Sequence, residues 1–309
     1  MVNPQMYVKV VSANEQLLVK GINESLDGVV DAGGSGTFET LGAADDALDG
    51  GAYSLWVKQG TYAAGLTVST NNVLITMEPG TVVQAAITLS GDDIAMVLGA
   101  GCDIQGVVTL SGDRCSLICQ NGVNLDGLIV SGSNCYVNGG GTGTLVDGGT
   151  ANHAIATSNL ENIVENISAQ TTSGGNYHGV NVDGNRNIIR GVSVEDAGDD
   201  GIRIIGGAVD NLVEGCMVQG ADLDGIVIDG ARSRVVNCVI TSGVHGVGIA
   251  VESTGDNSVI IGNSSNSAGS AITLDAGGDN CIVDGNRTDG AITDGSTGST
   301  IGDNDATAF

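Results

Sequence analysis

Asp196, Asp199 and Asp200 place three carboxylates within five positions of the stretch DAGDDGIRIIGG, and Asp222 and Asp224 follow in ADLDGIVIDG. Carboxylates at this density suit hydrolysis, in which one holds a proton for a leaving group and another activates water or attacks. A polar residue also stands directly before each Gly-apolar-x-apolar stretch: His178, Asp200, Asp224, His245 and, less regularly, Asp289. The first three separations are 22, 24 and 21 residues. If each interval is one turn of a repeat, these side chains stack in a column. Asp199, Asp200 and Asp224 would then share acid and base roles, with His245 tuning their charge. Asp and His are also common at turns that open a strand, so a structural column is the favoured reading. The sets Asp196/Asp199/Asp200 and Asp222/Asp224/Asp229 are further candidates for Ca2+, although neither has the spacing of a calcium loop.

The elements that must position these residues come from a repeat. Residues 71–91, 92–112 and 113–132 form units of 21, 21 and 20 residues, and 185–207, 208–230 and 231–253 form units of 23. Each holds short period-two stretches, such as Ile202/Ile204 and Ile226/Ile228, separated by Gly, Asn, Asp or Ser. Such alternation puts one face inward, and segments this short cannot be amphipathic helices. The fold class this predicts is all-β: a right-handed parallel β-helix of roughly ten coils, about 50 Å long at ~4.8 Å per coil. Arg203 and Val227 alternate outward and should tolerate polar replacement. Asn187, Asn211, Asn257 and Asn280 are expected to stack as a second, structural column of amides.

Composition narrows the function. With 51 Gly, 2 Pro and 3% aromatic residues the chain is rich in turns and poor in helix formers. Lys+Arg total 10 against 36 Asp+Glu, a net charge of −26, which makes nucleic acid and anionic membranes poor partners. Lysine occurs only at Lys9, Lys20 and Lys58. Such Asp-rich, Lys-poor surfaces resemble those of halophilic proteins, which need counter-ions to screen self-repulsion. Seven cysteines without a CxxC pair read as small buried hydrophobes, and three histidines are too few for a zinc site. The N-terminus lacks the order of a signal peptide, and no apolar run reaches about 18 residues. Synthesis in a host cytoplasm is expected.

The opening DAGGSGTFETLGAADDALDGGAYSLWVKQGTY resembles the start of many pectate-lyase-like β-helix domains: a Gly-rich turn, a short helix at 41–48 and a first strand. Thr40 should cap that helix, and Leu41, Ala44 and Leu48 should plug the end of the solenoid. The segments GDDGIRI and VHGVGI are similar to two motifs of polygalacturonase-like hydrolases, a resemblance that implies the acid and base roles above. The chain departs from that pattern at Val244, which replaces the glycine before His245, and lacks a following Arg-x-Lys. Aromatic residues to grip sugar are also scarce, with Trp56 the single tryptophan and Tyr53, Tyr62, Tyr136 and Tyr177 scattered. The fold hosts enzymes and inert rods alike. The resemblance to tailspikes and capsid-surface proteins implies a virion structural component, with a polysaccharide-active hydrolase or lyase as the alternative. A haloarchaeal tailed virus is the expected source. The expected organisation is a docking segment over 1–30 that binds other virion proteins, a solenoid over 31–295 and a last coil or tail over 296–309. A homotrimer contacting a host-surface glycan or protein is the expected assembly.

Overall fold

The computed structural model describes residues 28–305 apart from 35, 37, 50–53, 141–142, 150–152, 172–176, 242–243 and 268. Three parallel sheets run the length of the rod, of 13, 11 and 11 strands, and each coil contributes one strand to each in turn. The first sheet runs from Gly28–Val30 to Thr300–Ile301, the second from Thr61–Tyr62 to Arg287–Thr288, and the third from Leu66–Val68 to Ile292–Asp294. The eleven complete coils agree with the roughly ten expected. The strand Gly28–Val30 pairs with Leu55–Val57, so the solenoid begins before residue 31. The rest of the docking segment assigned to 1–30 lies outside the described residues.

The repeats correspond to single coils. Residues 208–230 contain Leu212–Glu214, Met217–Ala221 and Ile226–Ile228, one strand in each sheet. Inward residues such as Val213, Val218, Ile226 and Ile228 are fully buried, while Leu212 and Glu214 face outward. Like stacks on like: Ile226 registers with Ile202 on one side and Ile249 on the other, and all three are 0% exposed. All seven cysteines are buried and free, filling the core as small hydrophobes. At the N-terminal end the helix Leu41–Asp49 buries Leu41, Ala44 and Leu48, and Thr40 Oγ1 accepts the Ala43 N–H at 3.1 Å as its cap. A helix end buried without such a partner would leave orphaned N–H groups.

Entry into the first sheet is controlled by columns of adjacent residues. Asn72, Asp93, Arg114, Asn134, Arg186, Asp210, Arg232, Asn257 and Asn280 all take left-handed φ values of 55–62° and mark the bend. The next residue in each coil turns inward. Here Asn162, Asn187 and Asn211 are at most 2% exposed, and the first two donate their backbone N–H to the amide oxygen one coil on: Asn162 to Asn187 at 2.9 Å and Asn187 to Asn211 at 2.8 Å. The expected column of four asparagines is therefore corrected. Asn187 and Asn211 belong to the inner ladder, whereas Asn257 and Asn280 sit one residue earlier, at the left-handed bend, where asparagine is favoured for its tolerance of positive φ. Ser258 and Cys281 follow them into the inner column. A second ladder, Asn263, Asn286 and Asn304, lies ahead of the second sheet and escaped the sequence reading.

Entry into the third sheet requires small residues. A Cβ on Gly201 would stand 2.3 Å from Val218 Cγ1 and 2.6 Å from the Gly225 carbonyl oxygen, and Gly179, Gly225 and Gly248 are equally confined. The glycine of each Asp-Gly or His-Gly pair is thus set by coil-to-coil contact. Its preceding residue is left on the outer edge of the third sheet.

Candidate functional site

Strand register defines the polar column directly. The strands Ile155–Thr157, Val180–Val182, Ile202–Ile204, Ile226–Ile228 and Ile249–Val251 are aligned residue for residue. Two positions before them stand His153, His178, Asp200, Asp224 and Val247. His245 is thus displaced from the column. The chain takes nine residues from Ile240 to Ile249, against eight from the paired Val218 to Ile226, and it is Gly248 that meets the close-contact requirement. His245 is instead 71% exposed and 3.9 Å from Asp222. Asp289 is also displaced, one residue early where His245 is two, because Ile292 registers with Ile272 and Gly290 occupies the column. His153 takes part in the column and was missed. Its signal, HAIAT before a small-residue bend, differs from the others in having alanine where they have glycine.

The column is a hydrogen-bond ladder running between coils. The His178 N–H donates to His153 Nδ1 at 2.9 Å, the Asp200 N–H to His178 Nδ1 at 3.3 Å, and the Asp224 N–H to Asp200 Oδ1 at 3.2 Å. The Val247 N–H continues it to Asp224 Oδ1 at 2.6 Å. Backbone groups that would otherwise be orphaned at the sheet edge are paired this way, which gives His and Asp a structural role at each position. Both histidine rings accept at Nδ1, so their neutral forms carry the proton on Nε2. The rings stack at 5.0 Å with 10° between their planes.

Asp199 joins the column from outside it. Its Oδ2 lies 3.6 Å from His178 Nδ1, and Asp200 Oδ2 lies 3.5 Å from the same nitrogen. Asp196 and Asp222 are not part of this group; among the described residues His178, Asp199 and Asp200 are the three whose ligand atoms fall within 4.8 Å of one another. From the centre of the third sheet Arg203 bridges the rows on either side, with Nη1 2.9 Å from Asp200 Oδ2 and Nη2 3.9 Å from Asp229 Oδ2. Val227 is the register partner of Arg203 in the next coil, beside the Asp229 that the guanidinium reaches. The expected exposure of Val227 is thereby corrected, since it alternates outward yet is 1% exposed.

Burial governs the protonation of the group. It pulls the His178 imidazole down to about 4, with His153 and Arg203 adding to the fall and Asp200 opposing it. It pushes the Asp199 and Asp224 carboxyls up. Unfolded, His178 takes up its proton near pH 6.5; folded, only near 4. Between these values the unfolded state binds more protons and acidification favours unfolding, whereas the raised carboxyls act with the opposite sign at the acid end. The Tm should therefore drop as the pH falls from 6.5 towards 4, and His178→Gln should flatten that part of the profile. An unchanged slope in the variant would assign the effect to another group.

Residues 154–306 match the family model described as a right handed beta helix region. No curated protein matches the chain in sequence. Among solved structures, the tailspike protein of E. coli bacteriophage HK620 in complex with pentasaccharide is similar with a TM-score of 0.59 at 15% identity, over 85% of this chain and 60% of that one. The Dettilon tailspike protein is similar with a TM-score of 0.58 at 13% identity, over 82% of this chain and 64% of that one. A Geobacillus virus E2 protein, ORF18, follows with a TM-score of 0.56 at 16% identity, over 86% of this chain and 57% of that one. The likeness is one of fold, and the chain spans about three-fifths of the length of these proteins.

Proposed function

We propose that the chain is the shaft of a virion-surface spike that contacts a host-surface glycan through the outer face of its third sheet. The observation that carries this reading is the set of polar atoms left over by the ladder. Its rungs use His178 Nδ1, Asp200 Oδ1 and Asp224 Oδ1, while the Arg203 guanidinium, held between Asp200 and Asp229 yet 31% exposed, keeps further N–H groups for an outside partner beside the Asp199 carboxylate. Likeness to a tailspike held with a pentasaccharide supports the choice of ligand class. Residues 1–27 would dock the shaft on other virion proteins, and a source living in concentrated salt suits the −26 charge. On an array of host-surface glycans, the protein should bind and release neither reducing ends nor unsaturated products, and Arg203→Ala should weaken binding at least about tenfold, the loss of one charge-assisted hydrogen-bond set. A polysaccharide-active enzyme is the second reading, favoured by the raised Asp199 and Asp224 carboxyls, which suit proton donation. Turnover that disappears in Asp200→Asn and Asp224→Asn would install it.

We propose further that the shaft works as a homotrimer packed through the outer face of its first sheet. Ile163, Ile188, Leu212, Val236, Val259 and Ile261 line that face and are only partly buried within one chain. Subunits of −26 repel, and salt near 1 M shortens the Debye length to about 3 Å. Light scattering coupled to size-exclusion chromatography should give a three-chain mass in molar salt and a smaller one in dilute buffer. A single-chain mass at every salt concentration would refute the trimer.

A further inference from the structure

We propose that His178, Asp199 and Asp200 bind a divalent transition-metal ion of the Mn2+ or Zn2+ class, with water or an outside ligand completing its coordination. The first ground is geometric. His178 Nδ1 stands 3.6 Å from Asp199 Oδ2 and 3.5 Å from Asp200 Oδ2. Three donors held about 2.1 Å from one tetrahedral ion lie roughly 3.4 Å apart, so both nitrogen–oxygen distances match ligands around a common centre, and all three donors lie within 4.8 Å of one another.

The second ground is an unmet charge. The side chain of Asp199 is 15% exposed, and among the described residues no N–H or O–H donates to its carboxylate. Arg203 reaches Asp200 and Asp229 instead. A carboxylate this far from water and without donors is costly unless a cation or a proton meets it. The neighbouring imidazole supplies an acceptor, so three acceptor atoms face one another. The single N–H aimed at that nitrogen, from Asp200, makes the longest of the four ladder bonds at 3.3 Å, and it is the contact that an ion would replace.

The ligands are held in advance. The His178 backbone N–H is fixed on His153, whose ring stacks on that of His178, and Asp200 Oδ1 is fixed by the Asp224 N–H. Outer-shell restraint of this kind orients metal ligands. One imidazole with two carboxylates favours Mn2+ or Zn2+ over Ca2+, which takes six to eight oxygens. A site of this kind departs from the expectation that three histidines are too few for zinc, because one imidazole here stands beside two carboxylates. This set is gathered by coil stacking, which local sequence spacing does not reveal.

The test uses the full chain, freed of metal by chelation, in about 0.5 M salt to screen diffuse binding to the acidic surface. Isothermal titration with Mn2+ and with Zn2+ should show one site per chain for at least one of the two ions, accompanied by a rise in Tm. Asp199→Asn, which removes no hydrogen bond of the fold, and His178→Gln should each weaken it at least about tenfold. His245→Gln, in a solvent-exposed residue outside the group, should leave it unchanged. Absence of a saturable site for either ion overturns the proposal, because a proton then meets the Asp199 charge. Uptake that survives Asp199→Asn overturns it too, placing the ion on other carboxylates or on the buried thiols.

Discussion

Ile226→Asp should abolish cooperative unfolding. The Ile226 side chain is 0% exposed and is stacked between Ile202 and Ile249, themselves 0% exposed, so a carboxylate there meets only hydrocarbon from both adjacent coils. Losing the burial of isoleucine costs about 1.5–3 kcal/mol. An unpaired buried charge adds several more, against a total stability on the order of 5–15 kcal/mol. Because each coil of a solenoid is stabilised by its neighbours, damage in the middle also removes the template for the coils on either side. Circular dichroism should show loss of the sharp thermal transition. Ile129→Thr provides the contrast: it lies outward on the same sheet at 39% exposure, aligned with Thr109, and should change stability by no more than about 0.5 kcal/mol. A wild-type melt for Ile226→Asp would disprove the register of the third sheet.

That register was legible in the sequence because it rests on apolar alternation, which a one-residue slip would invert. The cuts at 71–91, 185–207 and 208–230 fall between true coils for that reason, and Thr40, Leu41, Ala44 and Leu48 take their expected places at the end of the rod. The polar columns were less legible. They lie at bends, where identity varies with little cost and the connecting length changes from coil to coil. His245 resembles Asp224 in its local sequence, yet it stands four residues before Ile249 where Asp224 stands two before Ile226, and so falls outside the column. Asn257 resembles Asn187, yet one asparagine sets a left-handed bend and the other accepts a buried N–H. In both cases the side chain's role is decided by the coil stacked against it. Asp199 shows the same limit from the other direction: its position beside His178 depends on two different coils, 21 residues apart in sequence.

The inner asparagine ladder makes the second large effect testable, because hydrogen bonding and packing predict different outcomes for it. Asn187 Oδ1 accepts the buried Asn162 N–H at 2.9 Å, and its Nδ2 donates to the Asn159 carbonyl at 3.1 Å. Asn187→Ala orphans that N–H, removes a donor from Asn159 and opens a gap in the core. At about 1–3 kcal/mol for each buried group left unpaired, the total should reach roughly 2–5 kcal/mol. Asn187→Leu fills the gap with a side chain of similar size and still supplies no acceptor, so it should cost nearly as much as alanine. Asn187→Ser restores an oxygen, as Ser258 provides one for the Ser233 N–H at 3.2 Å three coils further along, and should recover part of the loss. Urea unfolding of the three variants orders them: serine most stable, then leucine and alanine close together, all with an unchanged m-value. If leucine instead matches the wild type, the column contributes by filling space, and its amide hydrogen bonds add nothing to the stability of the solenoid.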